Sequence, residues 1–192
     1  MSSTTGDTIA NDLYPTPPEV VDSLMSIITP RPGDFFLEPC RGDEGRIYDR
    51  VPLPEEQKEW AELSMGRDYL AHDFGRQFDL IITNPPFTLS EAFLEKSMAE
   101  LAPDGTLVYL QRVNWLGSIK RIPFWAALGF PGKTPIIIPR PRFAKKGSDS
   151  CEYAWFIWDR GGRVAAPDGL SHLITPAQPR RRPAPRKRKQ AA

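Results

Sequence analysis

The feature that most constrains the fold is the continuous apolar run FDLIIT at residues 78–83, which ends at the polar Asn84. A strand that is exposed on one face alternates apolar and polar side chains, whereas a strand that is covered on both faces is apolar throughout. The run therefore predicts an inner strand of a largely parallel sheet. Helices must cover both faces of such a sheet, and the rest of the chain has to supply them.

Flanking segments supply the other elements in alternation. Apolar runs predict strands at residues 34–40, 58–64, 78–84, 106–112, 134–139 and 152–159. Helical spacing predicts helices from residue 17 to about 28, over 89–102 with Ser90 as its N-cap, and over 122–129, with a short helix near 45–51. The pattern indicates the α/β class, a sandwich with a mainly parallel sheet that binds ligands at the carboxyl ends of its strands.

Length and composition predict one domain with tails. The 192 residues are 40% hydrophobic, enough for one core. Residues 1–13 are polar and predicted to be flexible, residues 14–160 form the domain, and 161–192, rich in Pro, Gly and Arg, are predicted to be largely disordered. No segment has the pattern of a membrane span or secretory signal, which predicts a cytoplasmic location.

Charge is strongly segregated along the chain. Residues 1–111 carry 8 basic and 20 acidic side chains, whereas residues 112–146 carry 8 basic and none acidic, and 176–192 carry 7 basic and none acidic. Basic residues interleaved with aromatic ones suit a surface that contacts phosphates and bases. A solvated basic face with ordinary core aromatics is an equally good interpretation of 112–146, and the tail is either a nonspecific nucleic-acid contact or a solubilising segment.

The tetrad Asn84-Pro85-Pro86-Phe87 directly follows the predicted inner strand. Its two prolines have no N–H and fix the backbone, so successive carbonyls can face a pocket instead of a neighbouring strand. An exocyclic amino group needs two acceptors, which the Asn84 side-chain oxygen and the Pro85 carbonyl can supply, while Phe87 offers a flat face to a ring. The alternative is a rigid proline turn that ends the strand.

The segments around this tetrad resemble the S-adenosylmethionine-dependent amino methyltransferases, and more narrowly the small adenine-N6 DNA methyltransferases of phages and prophages. The resemblance covers about residues 13–160, with the segments in the family's order. It implies a Rossmann-like class I methyltransferase fold, here reduced in size, with S-adenosylmethionine as cofactor and DNA as partner. Residues 14–112 would form the cofactor and catalytic part and 113–150 the substrate-contacting part, in the host cytoplasm if the chain is phage-encoded.

The resemblance also implies which residues contact the cofactor. The segments concerned are an amino-terminal Thr-Pro segment, the glycine-rich loop after the first strand, the acid that holds the ribose, the segment at the adenine, and the start of the tetrad. The matching residues are Tyr14, Thr16, Pro17, Glu38, Pro39, Gly42, Gly45, Glu62, Asp68, Tyr69 and Asn84. The glycine loop has one residue more than the usual Gly-x-Gly, and only a short segment separates Glu62 from the strand at 78.

Catalysis is assigned by the resemblance to the tetrad, residues 84–87, and substrate contact to Phe87 and the basic segment. The candidate substrate residues are Phe87, Arg112, Asn114, Trp115, Lys120, Arg121, Arg140 and Arg142. The same tetrad also resembles enzymes that methylate RNA adenine, cytosine N4 or protein glutamine, and a non-catalytic nucleic-acid-binding module is a further alternative. His72 and His172 have no partner at metal-ligand spacing, so no metal site is predicted.

Overall fold

The fold is known from a computed structural model that describes residues 14–143 and 151–176. Within these ranges the chain forms three α-helices, α1 (Pro18–Met25), α2 (Ser90–Glu100) and α3 (Ile122–Leu128). The strands are β1 (Phe36–Glu38), β2 (Lys58–Trp60), β3 (Phe78–Thr83), β4 (Leu101–Arg112), β5 (Lys133–Ile138), β6 (Tyr153–Asp159) and β7 (Gly169–Ile174). Among the described residues, no helix is long and apolar enough to cross a membrane.

All seven strands join one sheet in the order β2-β1-β3-β4-β6-β5-β7. The first four strands pair in parallel, β6 is antiparallel to both β4 and β5, and β7 returns parallel to β5. The predicted α/β sandwich with a mainly parallel sheet is confirmed. β2 pairs with one side of β1, and β3, the next strand in the chain, pairs with its other side. Because the strand order reverses at this point, a crevice opens between the carboxyl ends of β1 and β3.

Side chains of β4 show how the two layers are built. Val108 and Leu110 pack into the apolar cluster that holds α1, whereas Leu107 and Tyr109 pack with side chains from α2 and α3 on the opposite face. Because all four are fully buried, the strand is covered on both sides. The uniformly apolar runs that identified the inner strands are a direct result of this double coverage.

Local boundaries differ from the sequence prediction at three points. Leu89, not Ser90, occupies the N-cap position of α2, and Ser90 is the first helical residue. β4 begins at Leu101, before the predicted start at residue 106, and residues 103–105 form an irregularity within it, where the partner of Leu101 is Phe78 and that of Thr106 is Leu80. Residues 45–51 contribute only a short 3₁₀ turn.

The ordered domain continues beyond residue 160, where the sequence predicted disorder. β7 pairs with β5 over six residues from Lys133↔Gly169 to Ile138↔Ile174, and Ile28 bridges to Val164. Arg163 is almost fully buried and forms a two-pronged ion pair with Asp34, through contacts of 2.8 Å from both Nε and Nη2. The predicted flexible residues 1–13 and the basic tail from residue 177 lie outside the described residues.

Candidate active site

A cavity of about 820 Å³ lies at the crevice between β1 and β3. We call it the main cavity. Of the predicted cofactor residues, nine line it, and Pro17 and Gly45 do not. The nine are Tyr14, Thr16, Glu38, Pro39, Gly42, Glu62, Asp68, Tyr69 and Asn84. Residues far apart in the sequence are thus brought to one edge of the sheet because parallel strands end there together.

Glu38 is the deepest acid of the main cavity. Its side chain is 2% exposed, and Oε2 has no hydrogen-bond partner among the described residues. Burial raises the pKa of Glu38 well above that of an ordinary carboxyl group, although a hydrogen bond from the backbone of Tyr48 acts in the other direction. A buried oxygen without a partner is costly. A ligand with a cationic amino group would satisfy it, and the methionine part of S-adenosylmethionine carries such a group.

Glu62, just past β2, ties the glycine loop to the end of its strand. One carboxylate oxygen accepts from the backbone N–H of Gly42 at 2.8 Å, and the other accepts from the backbone N–H and the hydroxyl of Ser64, both at 3.0 Å. Gly42 has a φ of 63° and Gly45 one of 55°, left-handed conformations that favour glycine. The carboxylate is therefore held at the rim of the cavity, and its contact with a ribose stays a prediction.

The inserted residues of the glycine loop face the same cavity. Asp43 accepts a hydrogen bond from the Ser64 hydroxyl at 3.0 Å, and Glu44 pairs with Arg46, whose guanidinium also donates to the Thr16 carbonyl. The extra residue is thus absorbed by side-chain contacts across the loop. No strand forms in the described segment between β2 and β3, where the bridge of Glu62 to Arg67 is the remaining ladder contact.

Tyr69 and Asp68 form the far wall of the main cavity. The hydroxyl of Tyr69 contacts Ser97 and Glu100 of α2 at 3.0 and 2.8 Å, so its ring is fixed while its polar end points away into the protein. The Asp68 carboxylate is exposed and accepts from the backbone N–H of Leu70 at 3.0 Å. The arrangement leaves an apolar ring and an accessible acid side by side.

Asn84, directly after β3, has an amide whose orientation is fixed. Its Nδ2 donates to the Tyr14 carbonyl at 2.8 Å and to the Thr16 hydroxyl at 3.1 Å. Because a carbonyl can only accept, the nitrogen must face Tyr14. The opposite atom, Oδ1, is buried and has no hydrogen-bond partner among the described residues. The site therefore contains one buried hydrogen-bond acceptor, Asn84 Oδ1, that is available to a ligand.

The rest of the tetrad divides two adjoining spaces. Pro86 lines the main cavity, whereas Phe87 lines a second cleft of about 260 Å³. The guanidinium of Arg112 lies over the Phe87 ring at 4.7 Å, and the ring of Tyr14 is 5.8 Å from it. Pro85 is buried and lines neither space. The tetrad thus forms the partition between the predicted cofactor and substrate sides.

The second cleft collects most of the predicted substrate residues. Its lining residues are Phe87, Gln111, Arg112, Asn114, Trp115 and Arg121. Lys120, Arg140 and Arg142 do not line it. Gln111 was missed in the sequence, although a glutamine that ends an apolar run was a usable signal.

Acids from other segments neutralise part of the basic region. Arg121 pairs with Glu91 at 2.7 Å, Lys133 with Asp168 at 2.8 Å, and Arg140 with Glu152. Within the described ranges, Lys120 and Arg142 have no ion-pair partner. Lys145 and Lys146, the last two basic residues of segment 112–146, lie outside the described residues.

The thiol of Cys40 faces the main cavity. Burial, reinforced by the carboxylates of Glu62 and Glu38, raises the pKa of this thiol to about 12. The raised pKa favours the protonated thiol near neutral pH.

Several solved structures of other proteins are similar to this fold. No protein-family model matches the chain. A Listeria monocytogenes protein assigned to the class I S-adenosylmethionine-dependent methyltransferases is similar, with a TM-score of 0.56 and 15% identity over 86% of this chain and 66% of that one. The M protein of the type I restriction enzyme EcoKI has a TM-score of 0.57 and 16% identity over 78% of this chain and 44% of its own. A precorrin-6y C5,15-methyltransferase of Geobacter metallireducens has a TM-score of 0.50 and 12% identity, over 82% of this chain and 92% of that one.

The fold is therefore the Rossmann-like fold of the class I methyltransferases, as the sequence predicted. The chain spans just under two thirds of the Listeria protein and less than half of the EcoKI M protein. These likenesses identify the fold, and the acceptor of a methyl group has to be inferred from the site itself.

Proposed function

We propose that this chain transfers a methyl group from S-adenosylmethionine to the N6 amino group of adenine in DNA. The observation that carries the proposal is the buried, unpartnered Oδ1 of Asn84, at the junction between a cavity with an unpartnered acid and a cleft with an aromatic wall. An acceptor held in this way suits a substrate that arrives with an N–H to donate.

Cofactor binding is assigned to the main cavity. The unpartnered Glu38 carboxylate would take the ammonium group of the methionine part, Glu62 the ribose hydroxyls, and Asp68 with Tyr69 the adenine. Bound there, S-adenosylmethionine supplies a methyl group activated by its sulfonium sulfur. The chain contributes the shape of the cavity and two buried oxygens that the cofactor and substrate satisfy.

Catalysis follows from hydrogen bonding at the amino group. Asn84 Oδ1 would accept a hydrogen bond from the amino group, which would draw the nitrogen lone pair out of conjugation and toward the methyl carbon. The Pro85 carbonyl, whose residue lines neither space, stays a predicted second acceptor. With the cofactor bound, the nitrogen–carbon bond would form as the carbon–sulfur bond breaks, and the surplus proton would leave to solvent. No strong general base is required, because the attacking nitrogen is neutral.

DNA as the acceptor is supported by the second cleft and its surroundings. An adenine must leave its stack to reach the tetrad, and Phe87 would then provide a stacking surface. Lys120 and Arg142, without ion pairs to described residues, are suited to phosphates. The likeness to the M protein of a restriction enzyme agrees with such a substrate.

The experiment is incubation with labelled S-adenosylmethionine and equal amounts of DNA, RNA and protein, followed by mass spectrometry of the nucleosides. N6-methyladenine in DNA is expected. N4-methylcytosine, or label in RNA or in a glutamine side chain, would keep the reaction and replace the acceptor. No label in any of them, with no cofactor binding by calorimetry, would favour a nucleic-acid-binding module.

A further inference from the structure

Two buried polar side chains lie directly behind the tetrad. Gln111, at the end of β4, donates from Nε2 to the hydroxyl oxygen of Ser90 at 2.7 Å. The Ser90 hydroxyl lies 3.1 Å from the Phe87 carbonyl and 3.3 Å from the Pro86 carbonyl. Because Gln111 occupies the oxygen as an acceptor, the hydroxyl proton is directed at the tetrad carbonyls.

Both residues stand where an apolar side chain would be expected. Gln111 is 2% exposed and follows four fully buried apolar residues, 107–110, whereas Ser90 is 1% exposed at the first position of α2. Ser90 makes no helix-capping bond, since Leu89 occupies the N-cap position. Burying polar groups does not favour folding over apolar packing, so their use is better sought in the geometry they impose.

The other end of the Gln111 amide bonds to the next residue of β4. Its Oε1 accepts from the backbone N–H of Arg112 at 3.0 Å, and the Arg112 guanidinium lies over the Phe87 ring. The Pro86 carbonyl also accepts from the backbone N–H of Leu89 at 3.0 Å. One side-chain amide therefore bonds both to Ser90, beside the tetrad carbonyls, and to the backbone of Arg112.

We propose that Gln111 and Ser90 are positioning residues that hold the tetrad backbone in its reactive orientation. The inference rests on the proposed function, because its effect is exerted on the tetrad that accepts the substrate amino group. With the Pro86 and Phe87 carbonyls held, the tetrad backbone and the Phe87 ring keep their positions between the two spaces. Neither residue touches the reacting atoms.

The test compares Ser90→Ala, Gln111→Met and the double variant with wild type, and Ser23→Ala serves as control. Ser23 is a buried helical serine whose hydroxyl donates to the Val20 carbonyl, away from both spaces. Each single variant is expected to lower kcat about tenfold with KM for S-adenosylmethionine unchanged. The double variant is expected to be no slower than the slower single one, because the two side chains act in series.

A pH profile separates positioning from packing. In Gln111→Glu, a protonated carboxyl can still donate to Ser90 but a carboxylate cannot, so kcat is expected to fall as pH rises through the pKa of the new side chain. Wild type and Gln111→Met would lack this step. An unchanged kcat in Ser90→Ala and Gln111→Met, or equal loss in Ser23→Ala, would overturn the inference while leaving the proposed function intact.

If wild type methylates no acceptor and the proposed function fails, hydrogen exchange still measures whether Gln111 and Ser90 hold the tetrad backbone. The Leu89 amide reports directly on the Pro86 carbonyl. Faster exchange of the peptide containing Leu89 in Ser90→Ala and Gln111→Met, but not in Ser23→Ala, supports the positioning role. Unchanged exchange in both variants overturns it.

Discussion

The side-chain amide of Asn84 donates to the hydroxyl of Thr16 across 3.1 Å, which joins the amino-terminal segment to the loop after β3. Thr16 was predicted as a cofactor contact, and it lines the main cavity, but its hydroxyl also accepts a hydrogen bond from the first residue of the tetrad. The bond directs Nδ2 away from the substrate and leaves Oδ1 as the acceptor. Thr16 is therefore expected to influence the chemical step.

Replacing Thr16 with valine removes this bond at nearly constant volume. We expect kcat to fall about fivefold, because one hydrogen bond to the amide is lost while the bond to the Tyr14 carbonyl stays. Steady-state methylation of DNA measures it. Thr16→Ser keeps the hydroxyl and should behave as wild type; an unchanged kcat in Thr16→Val would contradict the role of this bond.

Glu38→Gln is expected to weaken cofactor binding and to stabilise the cofactor-free protein. Losing the pairing with an ammonium should raise the dissociation constant about 10- to 100-fold. Without cofactor, removing a buried ionisable group should add about 1–3 kcal/mol to the free energy of unfolding at pH 7. Calorimetry and urea unfolding measure the two effects, with the exposed Glu56→Gln as control. A loss of both affinity and stability would contradict this role.

The pH dependence of Glu38 follows from its raised pKa. The folded state keeps the proton at pH values where the unfolded chain has lost it, so the stability contributed by Glu38 falls as pH rises from the unfolded pKa toward the folded one. Cofactor affinity changes in the opposite direction, because only the carboxylate attracts the ammonium. Glu38→Gln should flatten both dependences.

The ion pair between Arg163 and Asp34 allows a test of whether the segment beyond residue 160 contributes to the folded domain. Burial tends to raise the pKa of Asp34, but hydrogen bonds from the Arg163 side chain and the Arg31 backbone outweigh it and leave that pKa below its ordinary value. The resulting stability is present above the unfolded pKa and is lost as pH falls through the folded one. Arg163→Met should cost about 3–5 kcal/mol in urea unfolding, because it strands a buried carboxylate.

The double variant Arg163→Met with Asp34→Asn is the matched control, since it removes the stranded charge. It is expected to recover part of the loss. A cost below about 0.5 kcal/mol for Arg163→Met, the range of ordinary surface substitutions, would mean that this segment does not contribute to the domain.

Lys120 and Arg142 are expected to bind phosphates. Replacing either with alanine should weaken DNA binding evenly across sequences and reduce the slope of log affinity against log salt by about one. Fluorescence anisotropy at several salt concentrations measures this. The exposed Arg76, which precedes β3 at the edge of the sheet opposite the cavity, is the control, and an equal effect of Arg76→Ala would show that only overall charge matters.

Local patterns were enough to predict six of the seven strands in the described residues and the place of the tetrad directly after β3. β3 is apolar because both of its faces are covered, and Asn84 follows it at the edge where parallel strands end. The nine cofactor candidates could be assigned to one site because, in such folds, the motifs follow one another along the sequence in the same order as the strands that carry them. Their contacts with a cofactor stay predictions.

Contacts between distant segments could not be predicted from the sequence. β7 is an edge strand with few apolar residues on an alternating pattern, so it gives a weak strand signal in the sequence. Arg163 resembles the other basic residues of a polar tail, because its partner Asp34 lies far from it in the sequence. The acids that neutralise Arg121, Lys133 and Arg140 also come from other segments. Ser90 was predicted as a helix cap because the sequence gives no sign of its hydrogen bond with Gln111, which is 21 residues away.

The most direct test of the account is Asn84→Ala, measured by calorimetry with S-adenosylmethionine and by single-turnover methylation of DNA. Removing the unpartnered acceptor should lower methyl transfer by at least about 100-fold, while the dissociation constant for the cofactor changes by less than about threefold. Turnover comparable to wild type, with cofactor binding intact, would contradict the assignment of Asn84 as the acceptor of the substrate amino group.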